Sequence, residues 1–167
     1  HEALLRDMEA CRGKKILLGV SYALWDLAEQ HPVPLSDTIV METGGMKGKR
    51  QELSKKEFHA LLCEAFSVPA IHSEYGMAEL MSQAYSSGQG IFRTPPWMRV
   101  VIRDLNDPFS RVPAERTGGV NIIDLANVWS CAFIQTDDLG SVGRDGSFRM
   151  LGRITGSEIR GCNLLVQ

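Results

Sequence analysis

Hydrophobic positions in the first half of the chain follow two alternating periodicities. Short apolar runs at residues 15–19, 38–42 and 68–71 have the length and the bounding turn residues of buried strands. Between them hydrophobic residues recur at helical spacing, and Ser54 with Glu57 forms a capping-box sequence ahead of the second helical stretch. This order of strand, helix, strand, helix and strand predicts a parallel sheet with covering helices, which binds ligands at the carboxyl ends of its strands.

The pattern changes beyond about residue 90. Short β-type runs separated by turn residues then follow one another, at residues 98–103, 119–124, 131–136 and 148–151. These runs predict a small barrel or a twisted sheet, and we expect a small β-barrel-like subdomain. A stretch rich in Ser and Gly at residues 86–90 favours a boundary there, so we predict an α/β subdomain over residues 1–88 and a β-rich subdomain over residues 89–167.

Composition narrows the classes of function. The 167 residues are 44% hydrophobic, which is enough for a buried core, and 18 basic against 20 acidic residues give a net charge of -2. No basic cluster that would neutralise a run of phosphates occurs, so we expect no nucleic-acid partner. No apolar stretch approaches the roughly 20 residues of a membrane span and no signal sequence opens the chain, so we expect a cytoplasmic protein.

Two residues of the sequence Tyr-Gly-Met-Ala-Glu at positions 75–79 have side chains suited to a bound nucleotide. An aromatic ring beside a glycine, here Tyr75 and Gly76, can stack on a purine at the end of a strand. The carboxylate of Glu79 can hold Mg²⁺ against phosphate oxygens. Alternatively, the segment is the start of a helix with Glu79 in its first turn.

A second candidate is Asp138, in the sequence Gln-Thr-Asp-Asp-Leu-Gly at positions 135–140. A carboxylate offers enough lone pairs to accept hydrogen bonds from both hydroxyls of a ribose. The alternative is a turn in which aspartates bond to the local backbone. Arg153, which follows Gly152, can reach ribose or phosphate oxygens, or can be a solvated surface arginine.

Together with residues 152–163, these motifs resemble, in their order and spacing, three successive core motifs of the adenylate-forming superfamily of acyl-CoA synthetases, luciferases and peptide-synthetase adenylation domains. The resemblance implies the fold of the second half of the large domain of these enzymes. It implies that Tyr75, Gly76, Asp138 and Arg153 bind the nucleotide of ATP, and that Glu79 binds Mg²⁺.

Two residues depart from the usual motifs of the superfamily, and one further segment is similar to it. Ala78 stands where the superfamily usually has Thr, and Asp137 stands where it has Gly. The Gly44-Gly45 pair after the second predicted strand matches the glycine-containing strand end that runs past the adenine and acyl pocket. Taken alone, the two glycines are ordinary turn residues.

Near its end the chain carries the sequence Ile-Arg-Gly-Cys-Asn at residues 159–163 and stops five residues after Cys162. This arrangement resembles the LuxE-type acyl-protein synthetases, which form an acyl-adenylate and move the acyl group onto a cysteine near their own C-terminus. Cys162 is then the acyl acceptor, and Arg160 beside it or Arg153 nearby would raise its thiolate fraction. The alternative is a cysteine that replaces a valine of similar size in a buried strand.

The resemblance implies an ATP- and Mg²⁺-dependent ligase that activates a carboxylic acid, a long-chain fatty acid above all, with an acyl reductase or an acyl carrier as partner. We find no Ser/Thr/Gly-rich loop with a lysine for the triphosphate, and the chain starts at His1. We therefore expect a C-terminal part of such an enzyme that is inactive alone. Two alternatives stay open: an acyl- or aryl-CoA ligase in which Cys162 is inert, and a non-catalytic binding or scaffolding relic of the fold.

Overall fold

The computed structural model describes residues 1–45 and 53–154. The chain forms two compact units, His1–Glu74 with Ser87–Gln89 and Tyr75–Ser86 with Gly90–Gln167. The segment 75–86 thus groups with the β-rich unit, and the boundary between residues 88 and 89 stays a prediction. No helix in the described ranges is long and apolar enough to cross a membrane.

The first unit is an α/β layer, as the hydrophobic pattern predicts. Its elements are α1 (Glu2–Ala10), β1 (Lys15–Val20), α2 (Ser21–Gln30), β2 (Thr38–Thr43), α3 (Lys55–Phe66) and β3 (Ile71–Tyr75), of which only the last residue, Tyr75, groups with the second unit. The three strands are parallel in the order β1-β2-β3, with Leu17 opposite Val40 and Val40 opposite Ile71. The predicted parallel sheet with covering helices is confirmed.

The start of α3 shows how local sequence builds this layer. The Ser54 hydroxyl accepts a hydrogen bond from the backbone N–H of Glu57 (3.3 Å), and the Glu57 carboxylate accepts one from the Ser54 N–H (3.0 Å). The capping box satisfies two N–H groups that a helix start otherwise leaves without partners. The apolar face of α3 is thereby directed inward, and Leu62 and Phe66 have no exposed surface.

The second unit is an antiparallel sheet. Its strands are β4 (Ala84–Ser86), β5 (Phe92–Arg93), β6 (Met98–Arg103), β7 (Gly118–Asp124), β8 (Phe133–Val142) and β9 (Phe148–Arg153), with a 3-10 turn at Leu125–Asn127. They are ordered β4-β5-β9-β8-β7-β6, and consecutive strands in this order are antiparallel.

The barrel-like closure that we expected for this unit is not confirmed. Strands β4 and β6 lie at the two ends of the order and do not pair with each other in the part of the chain that the structure describes. Barrel closure needs a continuous ladder with a fixed stagger, and β4 and β5 are only 3 and 2 residues long. The unit is therefore an open sheet.

We expect Leu62→Ala to lower the free energy of unfolding by about 2–5 kcal/mol, because it leaves a cavity at a fully buried position of α3. Leu4→Ala in α1 is the matched control; this leucine is 41% exposed, and its loss should change the free energy of unfolding by only about 0.5 kcal/mol. Urea unfolding followed by circular dichroism measures both. Equal effects of the two variants would contradict the packing described here.

Candidate functional site

Strands β8 and β9 bring Asp138 and Arg153 together. The two residues are opposite each other in the register, and Arg153 Nε lies 3.8 Å from Asp138 Oδ1. The same guanidinium lies 3.4 Å from Asp137 Oδ2 through Nη2. The Asp138 side chain is 20% exposed and that of Arg153 37%. Ion pairs as accessible as these add little to the stability of the fold. They nevertheless hold one arginine beside two adjacent carboxylates.

Tyr75 joins this group from the end of β3. Its hydroxyl donates a hydrogen bond of 2.8 Å to Asp138 Oδ2. The Tyr75 ring packs edge-on against Phe92 and Phe148, with centroid distances of 6.2 and 5.7 Å, and these two rings stack on each other. Burial and the negative charge of Asp138 raise the pKa of Tyr75 well above its ordinary value. Tyr75 therefore stays a neutral donor that holds Asp138 in one orientation.

A buried arginine of β6 supports the strand that carries Asp138. Arg103 is 5% exposed; its guanidinium donates to the carbonyls of Val120 (3.0 Å) and Thr136 (2.9 Å) and to the Asn121 side chain (2.8 Å). A Cβ at Gly119 would lie 2.4 Å from Arg103 Cζ, so the glycine makes room for the guanidinium. The β7–β8 register shifts between Gly119 and Asn121, where Arg103 inserts.

Next to this shift, the Thr136 side chain forms hydrogen bonds with β7 and with β8, the strand that carries Asp138. The Thr136 hydroxyl donates to the Val120 carbonyl at 2.9 Å, and the Asp138 N–H donates to the same hydroxyl oxygen at 3.1 Å. Our sequence reasoning missed Arg103. The signal was present: an arginine at an inward position of an apolar strand, opposite a Gly-Gly pair in the next strand.

The segment after Tyr75 is a loop, and the expected alternative of a helix start is wrong. A turn is closed by the Leu80 N–H, which donates to the Met77 carbonyl at 3.1 Å, and Leu80 is buried. Glu79 lies in the turn and its side chain is exposed. Among the described residues, the structure assigns its carboxylate no hydrogen bond or ion pair, so the oxygens are available to a ligand.

Gly44 and Gly45 lie in the first unit, directly after β2. Gly44 has a φ of 70°, in the left-handed region that glycine adopts without strain. The Ser21 hydroxyl lies 3.2 Å from the Gly44 carbonyl and 3.0 Å from Glu42 Oε2, so its one proton is shared between two acceptors. The start of α2 thereby holds the glycine loop.

Glu42 anchors this arrangement as a buried charge. It is 1% exposed, and its Oε1 lies 2.7 Å from Lys55 Nζ and 3.4 Å from His59 Nε2. Burial raises the pKa of Glu42, but the hydrogen bond with His59 and the charge of Lys55 outweigh burial and lower the pKa from 4.5 to about 2. Sequence reasoning also missed this network, although Glu42 follows Val40 on the inward face of β2.

The remaining expectations concern the metal and the cysteine. Across residues 1–45 and 53–154, no three His, Cys, Asp or Glu side chains form a group that could hold a metal ion by themselves. An ion at Glu79 would therefore take its other ligands from phosphate oxygens and water, which is how proteins usually hold Mg²⁺. Cys162 and Arg160 lie outside the described residues.

Comparison with known proteins supports the resemblance inferred from the motifs. No protein-family model matches the chain. The chain is similar to the long-chain-fatty-acid–luciferin-component ligase of Vibrio harveyi, with 28% identity over 140 residues, 77% of this chain and 36% of that protein. It thus spans about a third of the length of this curated relative. The predicted resemblance to LuxE-type enzymes is confirmed.

Solved structures show the fold. MatB of Rhodopseudomonas palustris with bound ATP superposes with a TM-score of 0.66 at 15% identity, over 91% of this chain and 33% of that one. The O-succinylbenzoate coenzyme A synthetase of Bacillus subtilis, in complex with AMP, gives 0.64 at 19% over 96% and 35%. The amide bond synthetase McbA of Marinactinospora thermotolerans gives 0.65 at 22% over 92% and 34%. The chain has the fold of the adenylate-forming enzymes.

The charge network of Glu42 predicts a pH dependence of stability. A carboxylate whose pKa falls on folding stabilises the folded state above its unfolded pKa, and this contribution is lost as pH falls through the folded pKa. A fall from 4.5 to about 2 corresponds to about 3 kcal/mol. We expect Glu42→Gln to lower the free energy of unfolding by roughly this amount at pH 7.

The difference between wild type and Glu42→Gln should shrink as pH falls from about 4.5 toward about 2, because Glu42 becomes neutral in the folded protein there. Urea unfolding at a series of pH values measures it. Glu9→Gln, at an exposed position of α1, is the control and should follow the wild type throughout. A difference for Glu42→Gln that does not change with pH would rule out the charged network.

Proposed function

We propose that the protein containing this chain is an ATP-dependent ligase that activates a carboxylic acid as an acyl-adenylate, and that this chain supplies part of its nucleotide site. The observation that carries the proposal is the group of Tyr75, Asp138 and Arg153, in which a hydrogen bond joins Tyr75 to Asp138 and an ion pair joins Asp138 to Arg153. Three separate segments of the sequence meet there in the fold of adenylate-forming enzymes. ATP as cosubstrate favours a cytoplasmic location.

Asp138 would bind the ribose. A carboxylate has about four lone-pair sites, and Tyr75 uses one of them, which leaves acceptors for two ribose hydroxyls. Arg153, held beside Asp138, would donate to ribose or phosphate oxygens in the charge-assisted bonds that guanidinium groups form. The ring of Tyr75, which Gly76 follows in the chain, would contact the adenine. Gly44 and Gly45 of the first unit stay predicted nucleotide-binding residues.

Glu79 would bind Mg²⁺. Its carboxylate is exposed in the turn after Gly76 and supplies the oxygen ligands that this ion prefers. Held there together with ATP, Mg²⁺ would supply the positive charge that neutralises the phosphate groups as pyrophosphate leaves. The chain's own task is to hold the Glu79 carboxylate in place.

The chemistry would proceed in two steps. A carboxylate oxygen of the acid attacks the α-phosphorus of ATP, forming an O–P bond and releasing pyrophosphate. The thiolate of Cys162 then attacks the carbonyl carbon of the mixed anhydride, a C–S bond forms, the C–O bond breaks and AMP leaves. The thiol loses its proton before this attack, because the thiolate is the nucleophile.

A long-chain fatty acid is the substrate that we propose, because the curated relative is named as a long-chain-fatty-acid ligase. The thioester at Cys162 would pass its acyl group to an acyl reductase or an acyl carrier. A second candidate, an acyl- or aryl-CoA ligase with an inert Cys162, is favoured by the fold shared with the O-succinylbenzoate coenzyme A synthetase. A non-catalytic relic of the fold is the candidate of another class.

We expect Asp138→Asn, in the product of the complete gene, to lower kcat/KM for ATP about 10- to 100-fold in acid-dependent pyrophosphate exchange. The reason is the loss of a hydrogen bond to a charged acceptor, worth about 1.5–3 kcal/mol, where about 1.4 kcal/mol is tenfold. Asp7→Asn, at an exposed position of α1, is the control. Unchanged kinetics in Asp138→Asn would contradict a ribose contact.

The acyl-acceptor role of Cys162 predicts a covalent adduct. Intact mass of the complete gene product after incubation with ATP, Mg²⁺ and a panel of fatty and aryl acids should show an acyl group that hydroxylamine removes. Cys162→Ser should lack the hydroxylamine-sensitive adduct, whereas Cys11→Ser, at an exposed cysteine, should retain it.

Other outcomes of this experiment separate the three candidates. AMP release that requires coenzyme A, without any adduct, would replace the acyl-protein synthetase by the CoA ligase. If no acid gives an adduct, AMP release or pyrophosphate exchange, the result would favour the non-catalytic relic.

A further inference from the structure

We propose that Asp124 and Asn127 are positioning residues for Glu79: they fix the backbone of the turn that carries its carboxylate. The motifs of the sequence analysis assign no role to either residue. The inference rests on the proposed function, because it takes Glu79 to be the ligand of the Mg²⁺ that accompanies ATP.

Asp124 lies at the end of β7, has no exposed surface and accepts four hydrogen bonds. Its Oδ2 accepts from the backbone N–H groups of Met81 (3.0 Å) and Ser82 (2.9 Å). Its Oδ1 accepts from the Ser82 hydroxyl (2.8 Å) and from the N–H of Ala126 (3.1 Å). Four donors match the about four lone-pair sites of a carboxylate, so the buried charge is fully hydrogen-bonded.

Asn127 fixes the peptide group of Glu79 itself. The residue is 9% exposed, and its side-chain amide donates to the carbonyls of Glu79 (2.8 Å) and Cys131 (3.0 Å). Both amide hydrogens are thereby used. The Trp97 indole adds a bond of 2.9 Å to the Ser82 hydroxyl, so the chain just after Glu79 is held at several points.

The groups that these hydrogen bonds reach distinguish a positioning role from general packing. They act on the main chain at Glu79, Met81 and Ser82, and none of them uses the Glu79 carboxylate. On the other side, the bond from the Leu80 N–H to the Met77 carbonyl closes the turn. The carboxylate is therefore presented to solvent from a backbone that is fixed both before and after it. A Mg²⁺ ligand needs this, since the ion demands near-octahedral geometry at about 2.0–2.1 Å.

Asp124→Asn tests the role with little change of shape. Asparagine has one acceptor oxygen where aspartate has two, and its NH₂ group would face N–H donors. At least two of the four bonds are lost, and the turn that carries Glu79 is released. Asn127→Ala is the second variant, which removes only the two bonds to the Glu79 and Cys131 carbonyls, and Asn106→Ala at an exposed loop position is its control.

The readout is equilibrium binding of ATP to the complete gene product, measured by calorimetry with and without Mg²⁺. In wild type we expect Mg²⁺ to tighten ATP binding by at least about fivefold, a typical coupling between two ligands. Glu79→Gln, Asp124→Asn and Asn127→Ala should each reduce this gain to less than about twofold, while Asn106→Ala retains it. Urea unfolding in parallel shows that each variant is folded at the temperature of the titration.

The double variant Glu79→Gln/Asp124→Asn decides between positioning and independent action. If Asp124 acts through Glu79, the double variant has the same Mg²⁺ gain as Glu79→Gln alone. An Mg²⁺ gain that stays at the wild-type value in Asp124→Asn and Asn127→Ala, with Glu79→Gln impaired, would overturn the positioning role alone. A loss in the double variant beyond that of Glu79→Gln would also overturn it. Wild type that binds no ATP would overturn the proposed function together with this inference.

Discussion

The geometry of β8, the strand that carries Asp138, depends on a buried positive charge at Arg103. An unpaired guanidinium inside a protein is very costly, so its donors must meet oxygens, and they meet those of Val120, Asn121 and Thr136. The ladder between β7 and β8 shifts to allow this. The shift orients Thr136, whose hydroxyl accepts the Asp138 N–H. A charge that touches no proposed ligand thus supports the backbone of Asp138, and the Tyr75 hydroxyl holds its side chain.

The same principle recurs at the two glycine-containing loops, one in each unit. A buried carboxylate holds each loop by hydrogen bonds, and the exposed residues of the loop stay accessible to a ligand. Glu42 holds the Gly44 loop through the Ser21 hydroxyl, and Asp124 holds the loop after Gly76 through backbone N–H groups. Burial of Leu80 adds apolar packing to the second loop, and the hydrogen bonds to the buried carboxylates fix the backbone or side-chain groups that packing does not reach.

The sequence was sufficient for features that depend on local pattern. The parallel layer follows from alternating periodicities, and the capping box at Ser54 has the predicted hydrogen bonds. The supports of the site were not predicted, because Asp124 and Arg103 look like chance polar residues in apolar strands until their partners are known. The partners of Asp124 lie up to 43 residues away. Strand closure failed as a prediction for the same reason: short runs do not specify which edges pair.

Tyr75, Gly76, Glu79, Asp138 and Arg153 all belong to one compact unit, together with the residues that support them. Their mutual distances are set by contacts made within that unit. The hydrogen bond, ion pair and ring contacts described for Tyr75, Asp138 and Arg153 involve no residue of α1, α2 or α3, so sequence change in those helices leaves these contacts in place. The chain therefore separates two sets of structural constraints: those on the group of Tyr75, Asp138 and Arg153, and those on the helices of the first unit.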